Sequence, residues 1–100
     1  MKPIIFLPEA EQEMLEAAQY YQERASGLGL DFLLEIERAV HSIAQSPHTW
    51  PVLEGELSRR LIRRFPSGIL YRIDADAIVI VAVAHLRKQP GYWRKRIKQR

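Results

Sequence analysis

The sequence has no cysteine in its 100 residues, so disulfide staples, thiolate nucleophiles and cysteine metal sites are excluded. It also lacks long hydrophobic runs. The longest, Ala77 to Ala84, is far too short to cross a bilayer, and the opening MKPIIFLPEAEQE meets acids before it builds the apolar core of a signal peptide. A soluble, cytoplasmic protein with no membrane association is expected. There is no Gly-rich phosphate loop, no GxSxG and no HExxH. The histidines His41, His48 and His85 stand apart, with no clustered His/Asp set, so neither a metal nor a cofactor is expected. Glycine and proline are few, and there is no repeat or low-complexity segment. Residues 1–100 therefore read as a single domain, large enough for one core.

What is present centres on Ala77 to Trp93, AIVIVAVAHLRKQPGYW. Its first half is β-branched and apolar throughout, which predicts a strand covered on both faces. Its second half changes within a few residues to imidazole, cations and aromatics. Charge is divided just as sharply. Residues 1–55 carry three Lys and Arg against nine acids, whereas residues 56–100 carry twelve against three. A basic C-terminal half suggests an anionic partner, nucleic acid or an acidic protein segment.

The remaining elements follow from periodicity. Lys2–Leu7 predicts a short strand with Pro3 at its start. Pro8 suits a first helical turn, and Glu9, Glu11 and Glu13 complement the helix dipole. Ala10, Met14, Ala17, Ala18 and Tyr21 then recur at helical spacing to about Arg24. After Ser26-Gly27 and Gly29, a second helix is expected over Leu30–Gln45, forming an antiparallel hairpin with the first. Pro47–Pro51 reads as a rigid connector with Trp50 as its anchor, and Glu54-Gly55 as a turn. Leu57–Phe65 (LSRRLIRRF) predicts a strand, but both of its alternate sets mix apolar residues with arginine. A β-bulge would reconcile the pattern. Ile69–Ile73 predicts the next strand, and Asp74-Ala75-Asp76 a hairpin turn. The tail from Tyr92 predicts a short basic helix or a frayed end. The expectation is an α+β fold, β-α-α-β-β-β, with the helix hairpin on one face of a mostly antiparallel sheet and the arginine-bearing face open.

The candidate site is a cationic cluster of Arg59, Arg60, Arg63, Arg64, Arg72, Arg87 and Lys88, with His85, Tyr92 and Trp93 beside it. Two chemistries use such a set. In metal-free RNA cleavage, His85 moves a proton, Arg64 and Arg87 stabilise charge on the phosphate, and Tyr92 or Trp93 stacks a base. In recognition without catalysis, the same cations grip a phosphate backbone or an acidic protein. The structural alternatives are a strand-end imidazole bonded to backbone and a hydrophobic lid formed by Trp93.

Taken together, these pieces resemble the RelE/ParE superfamily of type II toxin–antitoxin toxins, nearer to the ParE, or plasmid stabilisation, branch. The matching features are the opening strand leading into Pro8-Glu9-Ala10, the Tyr20-Tyr21 pair, RRFPSGILYRI (Arg63 to Ile73), the Asp74-Ala75-Asp76 hairpin and VAVAHLRKQPGYW (Val81 to Trp93). The resemblance implies a cognate antitoxin with an acidic C-terminal segment, a toxin–antitoxin hetero-oligomer, and growth arrest as the outcome. ParE-like members poison DNA gyrase. RelE-like members are mRNA interferases that cleave mRNA on the ribosome, and that resemblance makes Arg87, His85 and Tyr92 the catalytic candidates. It leaves Arg59, Arg60, Arg63, Arg64, Arg72, Lys88 and Trp93 as target- or nucleic-acid-binding residues. The chain departs from the RelE-like pattern where an arginine is expected at the start of the next strand, because Gly68 or Ile69 stands there. The reading is a gyrase poison, with a ribosome-dependent mRNA endonuclease and a non-toxic antitoxin-binding relative as alternatives.

Overall fold

The apolar run of the sequence becomes a strand with neighbours on both sides. The computed structural model describes residues 1–98. Its elements are β1 (Ile4–Phe6), α1 (Pro8–Arg24), α2 (Leu28–Gln45), β2 (Val52–Glu54), β3 (Leu57–Leu61), β4 (Ser67–Ile73), β5 (Ile78–His85) and α3 (Arg94–Lys98). The sheet order is β1-β5-β4-β3-β2, with β1 parallel to β5 and every other pairing antiparallel. The α+β architecture is as the sequence predicts, with one strand more than expected. β2 escaped notice because VLE is exposed along its whole length and follows Pro51, so it has no buried face to mark it.

Register assigns the two faces. Ile69, Tyr71 and Ile73 sit opposite Val83, Ile80 and Ile78, and they turn toward the helices. The Tyr71 hydroxyl donates to the Pro47 carbonyl just beyond α2. Phe32, Ile36 and Ile43 of α2 and Ala10 and Ala18 of α1 complete this core. Gly29 allows the helices their close approach, since an added Cβ would lie 2.5 Å from the Ala18 carbonyl oxygen. Tyr21, Phe32 and Phe65 stack at centroid distances of 4.8–5.3 Å, sealing one end of the core under the β3–β4 turn.

Four expectations are corrected. The arginine-rich strand ends at Leu61, so Ile62–Pro66 is a turn, and Arg63 and Arg64 lie on it. No bulge is needed there, because the β3–β4 register runs unbroken from Leu57↔Arg72 to Leu61↔Gly68. The irregularities fall instead between Leu70 and Tyr71, and between Val52 and Glu54. The mixed pattern arises because both faces of β3 are covered. Ser58 and Arg60 face the helices, where the Arg60 Nε donates to the Ser42 Oγ at 2.8 Å. Leu57, Arg59 and Leu61 face the other way. That second face is not left open either, because the C-terminal segment folds onto part of it and buries Trp93. The second helix also starts earlier than expected, at Leu28, directly after Gly27.

No helix among the described residues is long and apolar enough to cross a membrane. Of the basic tail, α3 forms as predicted, while Gln99 and Arg100 lie outside the described residues.

Candidate functional site

β1 pairs with β5 only as far as Ile80, so the far half of that β5 edge has no strand beside it. Side chains occupy it instead. The Val83 N–H donates to Glu13 Oε1 at 3.1 Å, and Arg96 Nη1 donates to the Val81 carbonyl at 3.0 Å. Arg96 also binds both carboxylate oxygens of Glu13, at 2.8 and 3.1 Å, and the Tyr92 hydroxyl donates to the same carboxylate at 2.6 Å. Glu13 is thus the knot that ties the C-terminal segment to α1 and to the bare edge of β5. Burial and the Glu13 carboxylate together raise the Tyr92 phenol well above its ordinary value, so it keeps its proton.

The segment is fastened a second time at its far side. Arg94 donates from Nε and Nη2 to the Glu54 carboxylate, both at 2.7 Å, and this pairing holds Glu54 below its ordinary carboxylate value. Gly91 makes the turn possible with φ of 84°, and the Arg94 guanidinium lies directly against it. Between the segment and the sheet runs a groove of about 270 Å³, floored by Leu70 and Ala84 and walled by Trp93. Arg59, His85 and Lys88 stand at its edge. A second groove, of about 300 Å³, runs between α1 and β5, lined by Tyr20, Tyr21, Val83, His85 and Lys88. His85 borders both.

The predicted site residues fall into two groups. Some are held inside the fold. Arg60 lies over the Trp50 ring and bonds Ser42, Arg72 grips the Asp74 carboxylate through Nε and Nη2, and Trp93 is buried. Tyr92 is held by Glu13. The others stand at one end of the sheet. Arg63 and Arg64 are on the β3–β4 turn, and Arg87 and Lys88 follow β5. The two turns touch, since the Leu86 N–H donates to the Pro66 carbonyl at 2.9 Å. Arg59 lies just below, on β3. Lys88 is 4.0 Å from Glu13 and stacks over the Tyr92 ring, and Arg64 is 3.4 Å from Asp31.

His85 is exposed, and its Nδ1 accepts the Arg87 N–H at 3.0 Å. The Tyr92 hydroxyl is engaged in the same way, by the Glu13 carboxylate. What the arrangement offers chemically is charge and shape, presented by arginine forks on a rigid sheet end. No group of His, Asp and Glu among the described residues has the geometry of a metal site.

Glu13 and Glu54 are the functional residues that the sequence reading missed as such. For Glu13 a signal was available. It lies three residues from Ala10 and four from Ala17, on the inward stripe of α1, where a carboxylate requires a partner. Glu54 carried no such mark, being exposed beside a turn.

Residues 4–90 match a family described as "ParE toxin of type II toxin-antitoxin system, parDE". The chain belongs to the ParE toxin family. Among solved structures, one described as "Chromosomal ParDE TA system from P. aeruginosa" shares the fold, with a TM-score of 0.74. The likeness covers 87% of this chain and 98% of that one, at 15% sequence identity. No functionally curated protein matches the sequence. As a ParE family member, the chain is a toxin of a type II toxin–antitoxin system. Tyr92, Arg94 and Arg96, which fasten the C-terminal segment, lie beyond the matched residues.

Proposed function

We propose that this ParE family toxin arrests growth by poisoning DNA gyrase and is held inactive by a cognate antitoxin in a hetero-oligomer. The observation that carries the choice of target is the state of the would-be catalytic groups. His85 has its Nδ1 occupied by the Arg87 N–H, and Tyr92 has its hydroxyl on Glu13. Cleavage at a 2′-hydroxyl needs a proton acceptor beside the phosphate, and these two candidates are engaged elsewhere. A gyrase poison needs no such group, only a surface that binds the enzyme.

The antitoxin reading is supported by the neighbouring ParDE system, described as a toxin–antitoxin pair, and by the molecule's own edge. The far half of β5 is capped by Glu13 and Arg96 and not by a strand, and the groove between it and α1 offers Tyr20, Tyr21 and Val83, with Lys88, His85 and Glu16 also lining it. An extended or helical segment suits such a groove.

The test is a supercoiling assay with purified gyrase and relaxed plasmid, with the toxin titrated in and the products probed for trapped cleaved DNA. Inhibition with accumulation of cleaved plasmid is expected, reversed by co-purified antitoxin. Full supercoiling at a large molar excess of folded toxin would contradict the proposal.

A further inference from the structure

The fold leaves one set of cations without partners and gathers them at one end of the sheet. Arg59, Arg63 and Arg87 form no side-chain hydrogen bond, ion pair or ring contact with another described residue. Arg63 and Arg87 lie on the two turns joined by the Leu86–Pro66 hydrogen bond, and Ser67 and His85, at the strand ends between them, are directly paired. Arg59 is braced, because its stem packs over Gly68, where an added Cβ would lie 3.3 Å from Arg59 Cγ. Its guanidinium therefore stands at the groove mouth on a stem that packing holds in place.

A second observation concerns Arg64. It adopts φ of 71°, the left-handed region, and is the one non-glycine among the described residues to do so. Holding a Cβ-bearing residue there is unfavourable. Its contact with Asp31 is long and about half exposed on both sides, so it offsets little of that cost. A glycine or asparagine would serve the turn better. Among the described residues its guanidinium meets Asp31 and, at 5.7 Å, the neighbouring Phe65 ring.

From this geometry we infer that the sheet end formed by the β3–β4 turn and the turn after β5, with Arg59, Arg63, Arg64 and Arg87, binds the phosphate backbone of duplex DNA without regard to sequence. Arginine forks match phosphate oxygens, and backbone contacts of this kind position a protein without reading bases. Duplex is favoured over single-stranded nucleic acid because the two aromatics that follow Arg87 and Lys88 in the chain are not free to stack. Trp93 is buried, and the Tyr92 ring is covered by Lys88 and tied to Glu13. Single strands are held largely by stacking on exposed aromatics. This site goes beyond the gyrase reading. It would let the toxin engage the DNA near its target as well as the enzyme.

The experiment is a fluorescence anisotropy titration of a labelled 20-base-pair duplex with the full-length toxin, at several salt concentrations and with no gyrase present. Either reading can therefore fail alone. With about four phosphates neutralised, affinity should fall on the order of a hundred-fold between 50 and 200 mM salt. The triple variant R59Q/R63Q/R87Q, shown to be folded by circular dichroism and an unchanged unfolding midpoint, should bind weakly and lose only about four-fold over the same range. R64G should unfold at higher temperature yet bind DNA several-fold less tightly. The inference is overturned by any of four results: no binding at 50 mM salt, an unchanged salt slope in the triple variant, wild-type affinity in R64G, or tighter binding to the single strand. Displacement by poly-glutamate as effective as by unlabelled duplex would likewise overturn it, in favour of an acidic protein partner.

Discussion

The C-terminal segment and the far end of the sheet carry the same kinds of residue to opposite effect. In the segment, Arg94 and Arg96 each find a carboxylate, and the Tyr92 hydroxyl donates a hydrogen bond to Glu13. At the sheet end, Arg59, Arg63 and Arg87 have no side-chain partner among the described residues. Two acids from the acidic half of the sequence, Glu13 and Glu54, account for the difference by reaching across to the segment. Counting cations along the sequence therefore overstates the charge offered to a partner. What matters is which cations the fold leaves unpaired.

The sharpest way to break this comparison is to remove the knot. Glu13→Ala would leave a largely buried Arg96 guanidinium, the Tyr92 hydroxyl and the Val83 N–H without their shared acceptor. The expected cost is about 3 kcal/mol, given the worth of a buried pair broken from one side. For a domain of this size that lowers the melting temperature by on the order of 15 °C, read by thermal unfolding. A shift of only a degree or two would mean that the segment is not fastened there.

A middle-sized effect concerns pH. Tyr92 is raised in the folded state relative to the unfolded chain, so the stability it contributes is fully present below the ordinary phenol value, about 10, and is lost as pH rises through the folded value. Denaturant titrations from pH 8 to pH 11 should show stability falling above about pH 10, with a shallower fall in Tyr92→Phe. Identical profiles would contradict the assignment. At the acid end the sign reverses. Glu54 is lowered by Arg94, so that link holds above the ordinary carboxylate range and opens as pH falls through Glu54's lowered value. A carbon-detected titration of the Glu54 carboxyl follows it directly.

The smallest effect is the most informative about the other region. Arg63→Gln removes a cation that makes no side-chain hydrogen bond, ion pair or ring contact with another described residue, and its stability should match the wild type within about 0.5 kcal/mol. A larger loss would show that Arg63 is structural after all.

The fold was legible in the sequence where one face of an element is buried and one is not, or where burial is complete. α1 and α2 show the helical stripe, and β5 shows an unbroken apolar run. Legibility failed where side chains from distant elements decide. Arg60 and Arg63 are three residues apart in one arginine-rich stretch, yet one lies over Trp50 beside α2 and the other stands on a turn in solvent. Nothing local separates them, because the separation comes from β3 ending at Leu61 and from Ser42 in another element. The site was legible in its residue types and not in their roles. His85, Arg87 and Tyr92 read along the sequence as one catalytic set, and no local signal shows that Tyr92 is tied to Glu13.

The central claim is that this ParE family toxin works through an exposed cationic surface and not through cleavage chemistry. Its most direct test is a map of new mRNA 5′ ends in cells shortly after tightly controlled induction. Growth arrest with messages intact is the predicted result. Cuts within translated codons, abolished by Arg87→Ala and absent when translation is blocked, would contradict it and make the protein a ribosome-dependent nuclease.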